Sequence, residues 1–354
     1  MNELPLGFCE KVIYGLRSLY NAFGYSQYKM SKFEEYDLYA KNKDFLISDS
    51  VLTFMDTNGK LMALKPDVTL SIVKNTRDAE GLQKLYYNEN VYRAAKDSHS
   101  FRELTQVGLE CLGRIDDYCI SEVLLLAAES LGIISENCIL QVSHLGLVSA
   151  LIDDLGISQK TRALQLIGQK NVHELTALCE ASGVSEENTQ VLKALVQLRG
   201  KPETVIPQAE MLLTGITDTA PLKQLQRITA ACGQSILQVD FSVVDDVHYY
   251  NGIVFKGFVK GLPSSVLSGG QYDKLMQKLR RSSGAIGFAV YMDELERLDT
   301  QRKEYDVDTV LLYGESTDLS AVAQKVRQLQ EKGLSVSVQR QVPENLRYRN
   351  LEKL

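Results

Sequence analysis

The sequence of 354 residues predicts an α+β protein in which an antiparallel sheet is flanked by helices. Three observations lead to this prediction. Apolar runs surround an Asn-Gly pair at residues 51–64 and again at residues 249–255, and both arrangements are typical of a β-hairpin. Residues 146–235 are rich in Leu, Ala, Gln and Glu at helical spacing. Residues 310–338 have the order strand, helix, strand.

The same patterns divide the chain into three parts. Residues 1–145 and 236–300 carry the strand signals and are predicted to form a core around one sheet. Residues 146–235 are predicted to form a helical insertion within this core. Residues 301–354 form a short α/β tail, a βαβ piece that we expect to be too small for an independent sheet domain. The sequence leaves open whether the native chain ends at Leu354 or was truncated there.

The individual core elements follow from apolar periodicity and from turn residues. Helices are predicted over residues 7–23, from Thr69 near an N-cap to 74, over 120–131 and 272–279, and from 293 onward. Strands are predicted over 85–93, 104–113, 237–243 and 285–290, with a polar loop over 94–100.

Composition excludes several classes of protein. The formal net charge of −6 opposes a broad phosphate-binding surface, so tRNA is not expected as a partner. The densest basic run, residues 278–281, is predicted to be the solvated end of a helix. No apolar run is long enough to cross a membrane, and the N-terminus lacks a secretory signal. The six cysteines show no metal-binding spacing, so we expect reduced thiols, no metal and a cytoplasmic location.

Five segments, in sequence order, resemble the catalytic core of the histidyl-tRNA synthetases, which are class II synthetases. They are Phe23-Gly24-Tyr25 with Phe33-Glu34, residues 63–69 (ALKPDVT), residues 91–110, residues 249–255 with 269–273 (GGQYD), and Gly287-Phe288-Ala289. The resemblance implies a class II synthetase-like antiparallel sheet. It also implies self-association through the core. Ser31 stands where that family's first motif has a proline, and this departure bears on the geometry of pairing.

The resemblance implies a histidine pocket. The synthetase positions that bind the ammonium and imidazole groups of histidine correspond here to Asp67, Thr69, Gln106 and Glu110. The position that binds the carboxylate corresponds to Arg93. The positions that contact the ring correspond to Tyr249 or Tyr250 and to Tyr272. The chemistry agrees, because an ammonium group needs acceptors and an imidazole needs a polar partner at each nitrogen. Asp67 replaces the family's glutamate with a shorter side chain.

Each of these residues also has a structural interpretation that needs no ligand. Asp67 precedes a predicted helix and would serve as its cap. Gln106 and Glu110 share one face of a predicted strand, and a solvated face has the same pattern. Tyr249 and Tyr250 fit sheet aromatics, and Gly269-Gly270 fits a tight turn.

Three further positions depart from the synthetases where those enzymes activate the amino acid. Asp245 stands where they have an arginine that assists activation. Glu294 stands where their third motif has an ATP-binding arginine, although a gapped alignment places that arginine at Arg297. Ala95 stands where they have a glutamate that contacts adenine. Acids in place of fixed cations are expected to repel a polyphosphate, so no catalytic residue or cofactor is expected.

A retained histidine pocket without activation chemistry resembles the regulatory subunits of short-form ATP phosphoribosyltransferase. The resemblance implies a non-catalytic protein of histidine biosynthesis that forms a hetero-oligomer with a separate catalytic subunit. It further implies that L-histidine is the effector. The alternatives are an active histidyl-tRNA synthetase and a synthetase paralogue with another role.

Overall fold

The computed structural model describes residues 6–42, 51–78, 81–94, 100–244, 249–298, 305–342 and 344–354. The chain divides into two compact units, Phe8–Leu298 and, separately, Asp299–Leu354 with Met1–Gly7.

The larger unit is built on a sheet of nine strands, counted over the described residues. They are β1 Ser26–Gln27, β5 Gln83–Ala94, β6 Phe101–Gly113, β7 Cys138–His144, β8 Arg199–Gly200, β9 Leu237–Asp240, β10 Ile253–Val259, β11 Leu267–Gln271 and β12 Gly284–Tyr291. Their order in the sheet is β1-β5-β6-β12-β11-β10-β7-β9-β8. Neighbouring strands are antiparallel except in the pairs β1–β5 and β7–β9. The predicted α+β class is confirmed, with two parallel pairs near the sheet edges that the sequence did not predict.

A smaller sheet contains β2 Phe33–Glu35, β3 Thr53–Met55 and β4 Leu61–Leu64, in the order β2-β4-β3. Strands β3 and β4 pair antiparallel, which confirms the hairpin predicted over residues 51–64. Gly59 has a φ of 77°, a backbone conformation that glycine adopts at little cost in a turn.

Helices cover the large sheet. In chain order they are α1 Phe8–Ala22, α2 Tyr36–Ala40, α3 Thr69–Asn75, α4 Asp117–Ile134, α5 Leu145–Asp154, α6 Lys160–Gly168, α7 Val172–Ala181, α8 Glu186–Gln197, α9 Pro202–Leu213, α10 Ala220–Cys232, α11 Asp273–Lys278 and α12 Met292–Leu295. Helix α4 begins where Asp116 accepts a hydrogen bond from the Cys119 amide, and most of its side chains are buried. It lies in the main core with α1, whereas α3 and α11 contribute to a second core that contains Tyr87 and Tyr272.

Residues 146–235 contain α5 to α10 and the two-residue strand β8, so the predicted helical character of this segment agrees with the structure. Lys170, between α6 and α7, donates a hydrogen bond from Nζ to Asp240 at 2.8 Å, which ties these helices to the end of β9. Among the described residues, no helix is long and apolar enough to cross a membrane.

The hairpin predicted over residues 249–255 is wrong. Strand β10 pairs with β7 and β11, and Asn251-Gly252 forms no two-residue turn between paired strands. Gly252 is needed for another reason, because a Cβ atom there would lie 2.1 Å from Oε1 of Gln271. That oxygen accepts a hydrogen bond from the Ile253 amide, so the glycine allows a close approach of β11 rather than a turn.

The smaller unit has a three-stranded parallel sheet in the order β14-β13-β15, with one helix. Its elements are β13 Val307–Leu312, α13 Leu319–Glu331, β14 Val336–Gln339 and β15 Tyr348–Lys353. The predicted strand, helix and strand are confirmed, but β15 was missed because its exposed, charged residues lack apolar alternation. The three strands and the helix belong to the smaller compact unit.

Candidate functional site

A buried carboxylate, Glu110, is at the centre of the site. It lies on β6 with 2% of its surface exposed. Thr69 donates from Oγ1 to Oε1 at 2.6 Å, and the Tyr272 hydroxyl donates to Oε2 at 2.6 Å. Three distant segments of sequence therefore meet at one acid. Burial raises the pKa of Glu110 to about 8, although both hydrogen bonds oppose this rise.

Asp67 lies beside the N-terminus of α3 and acts as its cap. Its Oδ1 accepts a hydrogen bond from the Leu70 amide at 2.7 Å, which confirms the structural interpretation of this residue. Burial raises the pKa of Asp67, and the Leu70 amide and the charge of Arg93 oppose the rise. Arg93 is held by a hydrogen bond from Nε to the Pro66 carbonyl at 3.0 Å. Capping does not exclude binding, because a carboxylate has further acceptor capacity.

Three tyrosines form one wall of the site. The ring centroid of Tyr249 lies 4.9 Å from that of Tyr250 and 5.7 Å from that of Tyr272. Asp273, next to Tyr272, accepts hydrogen bonds from the Asn251 side chain at 3.3 Å and from the Ala285 amide at 3.0 Å. These bonds connect both tyrosine segments to β12. Because Gly269 and Gly270 lie within β11, the tight-turn interpretation of this pair is wrong.

Gln106 lies four residues before Glu110 on β6, so the two side chains are on the same face of the sheet. Only 4% of the surface of Gln106 is exposed, so the solvated-face interpretation of Gln106 and Glu110 is wrong. A ligand that lies along this face of β6 can therefore contact the side chains of both Gln106 and Glu110.

A largely buried ion pair joins two of the segments that carry the site. Lys65 is fully buried and donates from Nζ to Glu89 on β5 at 2.8 Å. Its backbone carbonyl accepts a hydrogen bond from the Tyr92 amide at 2.9 Å. Burial lowers the pKa of Lys65, and the hydrogen bond and charge of Glu89 oppose this shift. The sequence analysis quoted Lys65 in its motif but assigned it no role, since buried lysines are rare.

Arg281 departs from the prediction made for the basic run at 278–281, whereas Lys278 and Arg280 are exposed at the end of α11, as predicted. The Arg281 side chain is 11% exposed and pairs with Asp78, with Nε 2.7 Å from Oδ1. Nη1 donates to the carbonyls of Val73 and Thr76 at 2.9 and 2.7 Å, which lie at the C-terminal end of α3. Arg281 therefore fixes the end of the helix whose other end carries Asp67 and Thr69.

The position of the ATP-binding arginine in the third synthetase motif, called here the motif 3 position, has an acid, Glu294, in contact with an arginine, Arg297. Glu294 accepts a hydrogen bond from Ser264 Oγ at 2.7 Å and lies 3.4 Å from the Arg297 guanidinium. The Arg297 side chain is 60% exposed, so both alignments of this motif lead to one surface ion pair. The other two departures, Ala95 and Asp245, lie outside the described residues. Within the described ranges, no group of three His, Cys, Asp or Glu side chains could hold a metal ion.

The raised pKa of Glu110 predicts a pH-dependent stability in the absence of ligand. Native Glu110 holds a proton up to about pH 8, whereas the unfolded chain releases it near 4.5. Raising the pH between these values therefore favours unfolding. We expect the unfolding free energy of the wild type, relative to Glu110→Gln, to fall by up to about 1.4 kcal/mol per pH unit over this range. Urea denaturation at pH 5, 6.5 and 8 measures the difference; a pH-independent difference would contradict the assignment.

Comparisons with known proteins identify the family of the chain. The family model of histidyl-tRNA synthetase matches residues 8–295. A relative from Clostridium kluyveri, named ATP phosphoribosyltransferase regulatory subunit, is 29% identical over 340 residues, 91% of this chain and 87% of the relative.

Two solved structures share the fold. One, an ATP phosphoribosyltransferase regulatory subunit/histidyl-tRNA synthetase from Bacillus halodurans, has a TM-score of 0.76 at 23% identity and covers 100% of this chain and 98% of its own. The other, an ATP phosphoribosyl transferase (HisG:HisZ) complex from Thermotoga maritima, has a TM-score of 0.63 at 18% identity, and the match covers 82% of this chain and 98% of that chain. Because the family model covers most of the chain, the chain belongs to the histidyl-tRNA synthetase family and, within it, is similar to the ATP phosphoribosyltransferase regulatory subunits.

Proposed function

We propose that this protein is the non-catalytic regulatory subunit of ATP phosphoribosyltransferase, a glycosyltransferase complex, and that it binds L-histidine as the effector. The observation that carries the proposal is the contrast between two sites. The Glu110 cluster is buried and held by hydrogen bonds from Thr69 and Tyr272. The motif 3 position has an acid, Glu294, where the synthetases have an arginine.

The geometry around Glu110 supports histidine as the ligand. A carboxyl group in contact with two hydroxyl groups is a suitable partner for an imidazole nitrogen, in either protonation state of the carboxyl. The amide of Gln106 and the carboxylate of Asp67 offer acceptors for an α-ammonium group. Arg93 supplies a cation for the α-carboxylate, and burial strengthens each of these interactions. The tyrosine wall then covers the ring.

The motif 3 contacts support the loss of activation chemistry. Adenylate formation requires fixed cations against the developing negative charge of the phosphates. Glu294 pairs with the nearby Arg297, so the cation at this position has an acid beside it that would oppose a phosphate. The names of the relatives also point to a regulatory subunit. A cytoplasmic location, self-association through the core and the absence of tRNA from the partners stay predictions.

The proposal is tested on the purified protein alone. We expect no histidine-dependent exchange of pyrophosphate into ATP, because the motif 3 position lacks an unpaired cation for the phosphates. Calorimetry of the same sample is expected to detect histidine binding. Histidinol, which lacks the carboxylate, is expected to bind more weakly because Arg93 loses its partner.

The two measurements separate the alternatives. Exchange at a rate typical of enzymes, about 1 per second or more, would identify an active synthetase instead. Absence of both exchange and histidine binding would favour a paralogue with another role.

A further inference from the structure

Tyr87 is a buried tyrosine on the same face of the sheet as the site, and it is absent from the set of residues that the motifs assign. It lies on β5 opposite Gly108 of β6, between the positions of Gln106 and Glu110. Only 1% of its surface is exposed. It belongs to the same hydrophobic cluster as Tyr272, whereas its neighbour Tyr86 belongs to the main core on the other side of the sheet.

The Tyr87 hydroxyl lies directly over Gly108. A Cβ atom at residue 108 would be 2.5 Å from this oxygen, so only glycine leaves room for it. Among the described parts of the chain, no group forms a hydrogen bond with the hydroxyl. Buried hydroxyl groups in native proteins have a partner in the large majority of cases. The hydroxyl lies on the same face of the sheet as the side-chain amide of Gln106, so one bound molecule can contact both groups.

Two carboxyl groups near Tyr87, those of Glu110 and Asp67, favour a cationic partner, because a bound ammonium group would lower their raised pKa values and stabilise their ionised forms. Burial raises the pKa of Tyr87 well above its ordinary value, and the charges of Glu110 and Asp67 raise it further. The hydroxyl is therefore neutral at physiological pH and has acidic groups beside it. An oxygen lone pair in such surroundings is well suited to accept a hydrogen bond from an ammonium group.

We infer that the Tyr87 hydroxyl binds the α-ammonium group of the amino-acid ligand, together with Gln106 and Asp67, and so selects amino acids over related molecules that lack this group. The inference rests on the proposed function, because it takes histidine as the ligand. It adds a specificity-determining residue that none of the five family-like segments indicates.

The test compares the wild type, Tyr87→Phe and the matched control Tyr86→Phe by calorimetry. Tyr86 has the same side chain one residue away, but its ring lies 6.1 Å from that of Tyr20 in the main core. The probes are histidine, histamine, which keeps the ammonium group, and imidazole-4-propionate, which lacks it. We expect Tyr87→Phe to bind histidine and histamine at least tenfold more weakly, because a hydrogen bond to a charged group is lost. Imidazole-4-propionate is expected to bind all three proteins equally.

Thermal unfolding without ligand distinguishes a binding role from a structural one. Removing a buried hydroxyl that has no partner should leave the melting temperature of Tyr87→Phe unchanged or higher. A lower melting temperature with an equal loss of affinity for all three probes would overturn the inference, because the hydroxyl would then support the fold.

The outcomes also separate this inference from the function on which it rests. If the wild type fails to bind histidine, the proposed pocket and the role of Tyr87 are both wrong. If the wild type binds histidine and Tyr87→Phe binds it equally well, only the role of Tyr87 is wrong.

Discussion

Mixing this protein with a short-form ATP phosphoribosyltransferase catalytic subunit is expected to give a complex in which histidine changes the rate of phosphoribosyl-ATP formation by about 5- to 150-fold. This range corresponds to a coupling free energy of about 1–3 kcal/mol between two distant sites. The physical reason is that, in the proposed function, the Glu110 cluster binds histidine, while the motif 3 position has an acid, Glu294, beside its arginine. Histidine bound here would act by favouring one state of a partner.

The experiment needs both subunits in purified form. Light scattering measures the mass of the mixture, and the assay measures phosphoribosyl-ATP formation with and without histidine. The catalytic subunit alone is the control, because the response to histidine should require this protein. Failure to form a complex at micromolar concentration would reject the proposed partner. A complex whose histidine response equals that of the catalytic subunit alone would reject the regulatory role.

Much of the fold could be predicted because local sequence signals agree with the tertiary structure. The Asn-Gly turn of β3–β4 has a glycine with positive φ, so the residue type and the conformation match. The second Asn-Gly pair, Asn251-Gly252, has the same two residue types, but its glycine has a different structural role. Gly252 makes room for the side chain of Gln271, a contact between distant segments that no local pattern records. An Asn-Gly pair therefore gives a wrong hairpin prediction where its glycine is needed for close packing against another strand.

The site could be predicted only through a resemblance, because its residues are separated in sequence and alternate with core residues. Glu110 and Gln106 have the phase of an ordinary strand face, and their burial depends on α3 and α11. Arg281 was assigned to solvent because a basic run at a helix end usually lies there, yet it caps α3. Tyr87 gave no signal at all, since a tyrosine in a strand is common and its importance depends on Gly108 across the sheet.

Glu110→Ala is expected to separate assembly from regulation. The substitution leaves the Thr69 and Tyr272 hydroxyl groups without their shared acceptor and removes the partner of the imidazole. We expect the bound imidazole to take up the Glu110 proton and form a charge-assisted hydrogen bond, whose loss costs about 1.5–3 kcal/mol, so the affinity for histidine should fall more than tenfold. Because Glu110 is buried within the larger unit, the variant should still assemble with the catalytic subunit.

Glu122→Ala is the matched control. Glu122 is also a buried acid, with Oε1 2.6 Å from Nζ of Lys84, but it lies on α4 in the main core, away from the Glu110 cluster. Both variants lose a buried carboxylate, so both report any general loss of stability. We expect the Glu122→Ala complex to keep its response to histidine and the Glu110→Ala complex to lose it while remaining active. If the Glu110→Ala complex were inhibited by histidine at the wild-type concentration, the effector would bind elsewhere, and the pocket would be wrong even though the family is right.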